Sequence, residues 1–190
     1  MSRAYRITVK EGLNREVKGS DEICTKIEVL EILPPEQMAE LLKRELLERG
    51  FKENEDGTVT RIDGTVSVTV EPCSGEITVK SESAEKVSLE ANREVTGYDD
   101  VGPGEGALRE RVREQLKQEL ERKAERESER LQTEATKNLE QALDDLQPEL
   151  GKVINKVTRD ALKQKAAQMG TITEIAEDAE TGNLTIKVEV

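Results

Sequence analysis

Residues 59–80 read VTRIDGTVSVTVEPCSGEITVK, and the fold class turns on this stretch. Val66, Val68 and Val70 alternate strictly with Thr65, Ser67 and Thr69, the period of two that puts apolar side chains on one face of a strand. Val59 and Ile62 stand just before Asp63-Gly64, a pair that favours a tight hairpin turn because both residues tolerate positive φ. Pro72 to Gly75 supplies a second turn, after which Ile77 and Val79 alternate with Thr78 and Lys80. Successive strands that are apolar on one side only predict an antiparallel sheet with one covered face and one wet face.

Toward the amino terminus, Tyr5, Ile7 and Val9 predict a first strand, and Ile23, Ile27 and Val29 a second, separated by a polar turn around Gly19-Ser20-Asp21. Pro34 and Pro35 halt extended pairing and preset a first helical turn, in which Glu36 complements the helix dipole. Met38, Leu41, Leu42 and Leu46 share one face of the helix so begun, at about residues 35–49, and Gly50 stands where a left-handed cap is expected. This helix is expected to cover the sheet. Beyond residue 80, the polar run Ser81 to Glu85 reads as another turn, with Val87, Leu89 and Ala91 as one more strand.

Residues 1–96 are therefore expected to hold the sheet and its helix. Residues 97–106 carry four glycines and a proline and read as a linker. From Ala107 to Gln147 the chain is rich in Glu, Gln, Lys, Arg, Leu and Ala, with opposite charges three or four apart, as in Glu105 with Arg109 and Glu119 with Lys123. A helix of that span would reach about 60 Å at the α-helical rise. Pro148 with Gly151 either kinks this helix or starts a second one at about 148–169; the second reading is favoured, making residues 107–169 a helical hairpin. Gly170 ends it. The last segment, 170–190, reads as a β-hairpin: Ile172 and Ile175 precede a turn at Glu180-Thr181-Gly182-Asn183, and Leu184, Ile186, Val188 and Val190 alternate after it. It is expected to rejoin the sheet. The fold class is α+β: an antiparallel sheet with one covering helix plus a long projecting helical hairpin.

Leu120, Ala124, Leu131, Ala135, Ala142, Leu146, Val153 and Val157 are spaced alternately by four and seven, an eleven-residue repeat that keeps a stripe on one face of a nearly straight helix. The stripe is thin through the charged run 121–130 and widens after Leu139, where Leu143, Leu150 and Ile154 join it. It packs either inside the chain or against a second protein. On the second reading Leu120, Leu131, Ala135, Leu139, Ala142, Leu146, Val153 and Val157 form a candidate interaction surface for a protein partner or a second copy.

Composition narrows the chemistry. The 190 residues are 37% charged and 34% hydrophobic, and the aromatics are only Tyr5, Phe51 and Tyr98, too few to stack nucleobases. A formal charge of −12 repels phosphate backbones and anionic bilayers, so neither nucleic-acid binding nor membrane insertion is expected. No run approaches 18 apolar residues and the first residues lead straight into a strand, which predicts a cytoplasmic protein with Cys24 and Cys73 reduced.

The complete lack of histidine removes Ser-His-Asp and Cys-His catalysis and the commonest zinc ligand. Asn54, Asp56, Gly57 and Asp63 fit part of a calcium-loop pattern, but Lys52 stands at its first ligand position, so the segment reads as a polar hairpin turn. The acidic pairs Asp99-Asp100 and Asp144-Asp145 read as solvated surface. No catalytic, cofactor or metal residue is assigned. The expectation is a non-enzymatic interaction or adaptor protein; a holdase-like chaperone comes second and a small carboxylate-based enzyme third.

Three segments carry a family likeness: Ser2-Arg3-Ala4-Tyr5-Arg6-Ile7, the run Ile27 to Pro34 followed by Met38 to Leu42, and the ending of long helix, Gly170 and acidic hairpin. Together they resemble small accessory proteins of bacterial multi-gene systems organised around AAA-type and FtsH-like ATPases. That resemblance implies an adaptor or assembly component acting beside an ATPase, with no catalytic residues to carry over.

Overall fold

A computed structural model describes residues 3–98, 102–177 and 184–189. The elements run β1 (Ala4–Lys26), α1 (Pro35–Glu48), β2 (Lys52–Glu53), β3 (Val59–Asp63), β4 (Val66–Glu71), β5 (Glu76–Tyr98), α2 (Glu105–Met169), β6 (Thr171–Glu177) and β7 (Leu184–Glu189). Five strands form one antiparallel sheet in the order β1-β5-β4-β3-β2, and β6 and β7 form a separate two-stranded sheet. The α+β class and the antiparallel sheet expected from the alternation are both found. The chain divides into two compact units, one of Met1–Asp21 with Glu82–Lys137 and the other of Glu22–Ser81 with Asn138–Val190. β1, β5 and α2 each contribute to both.

In the first unit, the amino-terminal part of β1 and the carboxy-terminal part of β5 form a ribbon, and one face of α2 packs on it. Ile7 and Val9 are buried with Val112 and Leu116, and Tyr5, Ala91, Val95 and Leu108 pack around them. Gly19 marks the closest approach of strand and helix: a Cβ there would overlap the backbone of Leu131 and Gln132. Beside it the helix supplies what a neighbouring strand would. Gln132 Nε2 donates to Ser20 O at 2.8 Å, its Oε1 accepts from Ser20 N–H at 3.1 Å, and Ser128 Oγ donates to Lys18 O at 3.3 Å. Thr136 Oγ1 donates to the Asp21 carboxylate at 2.8 Å. The polar stretch Gly19-Ser20-Asp21, expected as a turn, is thus the interior of one strand of 23 residues, its polar groups taken by the helix. Ser81 to Glu85 is likewise strand, part of the 23-residue β5, with Glu85 bound by Arg130 at 2.7 Å.

In the second unit, β3, β4 and the start of β5 pair in the register expected of hairpins, Val59↔Val70 and Val68↔Val79 among the partners. Gly64 and Gly75 stand at the turns with positive φ, where a side chain would be strained. Val66, Val68, Val70, Ile77 and Val79 meet Met38, Leu41, Leu42 and Leu46 of α1 and Leu139, Leu146, Val153, Val157 and Ala161 of α2 in one core. α1 begins at Pro35 as Pro34-Pro35 requires, and Gly50 follows it with φ +87°. Ile27 and Val29 lie beyond the end of β1; Ile27 turns into the core and donates its N–H to Gly75 O at 2.7 Å. The opposite face is polar, with Thr60 and Thr69 joined across the strands at 2.9 Å.

Two expectations are corrected. Residues 107–169 do not form a helical hairpin: one helix of 65 residues runs from Glu105 to Met169 with Pro148 inside it. Proline there removes the bond to the Asp144 carbonyl, at a cost of about 3 kcal/mol in an unsupported helix. Leu146, Leu150 and Val153 are held in the core on either side of it, and this burial keeps the helix continuous. Among the described residues the carboxy-terminal hairpin does not rejoin the main sheet; β6 and β7 pair with each other. Of the segment expected as a linker, residues 97–98 end β5 and 105–106 begin α2. Residues 99–101, with the acidic pair Asp99-Asp100, lie outside the described residues, as do the turn at 180–183 and Val190.

Candidate interaction surfaces

The α2 stripe faces inward. In the first unit Leu120, Leu131 and Ala135 are buried, and in the second Leu139, Leu146, Val153 and Val157 are buried in the core, with Ala142 half-buried against it. Of the two readings of the eleven-residue repeat, the internal one describes these side chains. In this fold the chain's own strands and α1 pack along the stripe.

The charged side chains around the second core hold its parts together. Glu45, only 5% exposed, accepts from Arg49 at 2.8 Å and from Lys156 at 2.5 Å, and Lys156 also reaches Glu48 at 2.6 Å. The hydrogen bond and charge of Lys156 hold the Glu48 carboxyl below the ordinary carboxylate range. Arg61 grips Glu149 with two bonds of 2.8 and 2.9 Å, binds Asp63 at 2.8 Å, and lies 4.8 Å from the centre of the Phe51 ring. Its hydrogen bonds push the Glu149 carboxyl down, and those of Glu149 push the Arg61 guanidinium up. These groups are occupied in fastening α1, α2 and β3 to one another.

The calcium-like segment is a turn. Asp56 accepts from Thr58 N–H at 3.0 Å and from its hydroxyl at 2.7 Å, which lowers the Asp56 carboxyl, and Gly57 takes φ +85°. Among the described residues no group of three or more His, Cys, Asp or Glu side chains is placed to hold a metal ion. Cys24 and Cys73 are exposed free thiols. Asp144 and Asp145 are exposed. Among the described residues no helix is long and apolar enough to cross a membrane.

Leu30, Ile62 and Met169 are exposed singly, while β6 and β7 gather several aliphatic side chains on one face. Ile172 pairs with Val188 and Ile175 with Ile186, so these four share a face, which Leu184 continues in the alternation of β7. Ile175 is 46% exposed and the other four are half-buried. The register slips between Ile172 and Glu174, a bulge that brings Ile175 back to the apolar side although it is three residues on. The reverse face carries Glu174 paired with Lys187. Gly170 makes this possible, since a Cβ there would strike the Glu189 carbonyl and the Val188 side chain. The alternation of 184–189 was readable from sequence; the spacing of three between Ile172 and Ile175 was the signal for a bulge.

No curated protein and no solved structure matches the chain. The family described as FtsH ternary system domain X5 matches residues 1–190, in keeping with the likeness read in its three segments, and the chain belongs to that family.

Proposed function

We propose that this protein is a non-enzymatic adaptor of an FtsH-associated system, docking a protein component of that system through the aliphatic face of the β6–β7 hairpin. The family description supports a role as a component of such a system. The observation that carries the docking reading is the hairpin itself, a separate two-stranded sheet with five aliphatic side chains on one face. A two-stranded hairpin is marginal alone, and covering its apolar side with a partner stabilises both. The ionisable groups with the tightest surroundings, Glu45, Arg61 and Glu149, are engaged in structural pairs, which leaves an adaptor reading ahead of carboxylate chemistry. A chaperone holding clients on the α2 stripe loses support because the stripe is filled from within.

The test is a binding titration of the purified full chain against the purified FtsH-like ATPase and the other protein components of its own system. Binding of one component is expected, with Ile175→Glu and Ile186→Glu each weakening it about tenfold or more, as loss of a central aliphatic contact does. Lys187→Gln, on the reverse face, leaves it unchanged. Binding to none of the components, or equal loss in all three variants, contradicts the proposal.

A further inference from the structure

The first unit has an open strand edge that fits a second copy of this chain. The ladder between β4 and β5 ends at Val66↔Ser81, and β5 continues through Tyr98 with β1 on one side and, among the described residues, no strand on the other. The outer edge of β1 is covered where Ser128 and Gln132 bond to Lys18 and Ser20. A long edge left open is a template for another strand.

We propose that the chain self-associates through this edge, β5 pairing antiparallel with β5 of a second copy about a two-fold axis at Leu89. Two-fold symmetry keeps each residue on the same face in both copies, so only registers shifted by whole pairs are allowed. Centring on Leu89 sets Val87 opposite Ala91 and Glu85 opposite Arg93, the latter twice, with no like charges opposed. Centring one residue earlier opposes Glu82 to Glu94, and centring one residue later opposes Glu90 to itself. The register at Leu89 also extends ion pairs already present. Arg130 binds Glu85 at 2.7 Å and Glu119 binds Arg93 at 3.0 Å, so the pairing forms alternating rows of Arg130, Glu85, Arg93 and Glu119 across the two copies. The charge of −12 opposes association at low salt; at physiological ionic strength that repulsion is screened beyond about 8 Å while the paired backbone groups are not affected.

Sedimentation equilibrium of the full chain at physiological salt tests this. A dimer is expected at concentrations up to about 100 µM, the range for a modest edge interface. Glu85→Arg alone and Arg93→Glu alone each put like charges together twice and weaken the dimer about tenfold or more. An equimolar mixture of the two variants restores it, because each reversed charge then meets its opposite in the other chain. A wild-type chain that stays monomeric overturns the proposal, as does a single variant that dimerises like wild type or a mixture that does not recover. Hairpin binding to an FtsH-system component is independent of each of these outcomes.

Discussion

Gly19 shows how one residue governs a helix–strand contact. Its missing Cβ lets the backbone of Leu131 and Gln132 lie against β1, and Gly19→Ala is expected to destabilise the protein by about 1–3 kcal/mol, as overpacking does, measured by urea denaturation. Glu149 contributes to acid stability. Its carboxyl is held below the ordinary value of 4.5 by Arg61, so its contribution is complete above that value and is lost as pH falls through the depressed pKa. Melting followed from pH 6 to pH 3 should show Tm falling most steeply below pH 4.5. Glu149→Gln should lower Tm at neutral pH, by the equivalent of about 1–3 kcal/mol for a half-buried charge-assisted pair, and flatten the acid slope. An acid slope unchanged by the substitution contradicts the role given to this pair.

At the scale of elements, the central instance is α2. Pro148 weakens the helix locally, and the core around Leu146, Leu150 and Val153 compensates. Pro148→Ala restores the bond to Asp144 and is expected to stabilise the protein by about 1–3 kcal/mol, read by thermal melting, with no change in helix content by circular dichroism. A gain in helix content would mean that the natural chain is broken there. β3, β4, the first part of β5 and α1 were legible in the sequence because their signals are local: period-two valines, Asp63-Gly64, Pro34-Pro35 and the spacing of Met38 to Leu46. β1 and the unbroken β5 were not. Gly19-Ser20-Asp21 has turn composition, but its small and polar groups answer to Leu131, Gln132 and Thr136, more than 100 residues away. Pro148 misled for the same reason, since the packing that overrides it comes from distant strands.

On the scale of the whole molecule, the bias toward surface charge is resolved into two units whose apolar stripes are consumed internally. The eleven-residue repeat told that α2 has one apolar face; it carried no information on what covers that face, because a stripe packed inside and a stripe packed outside have the same spacing. The family likeness was legible in three short segments, while the proposed docking face lies in a hairpin that the sequence pattern attached to the main sheet. The central claim is that this hairpin, and not the stripe, meets the partner. Hydrogen exchange by mass spectrometry on the complex with the FtsH-system component it binds tests it most directly. Amides of 171–177 and 184–189 are expected to gain protection on binding, with those of 120–157 unchanged. Protection gained along 120–157 with the hairpin unaffected would contradict it.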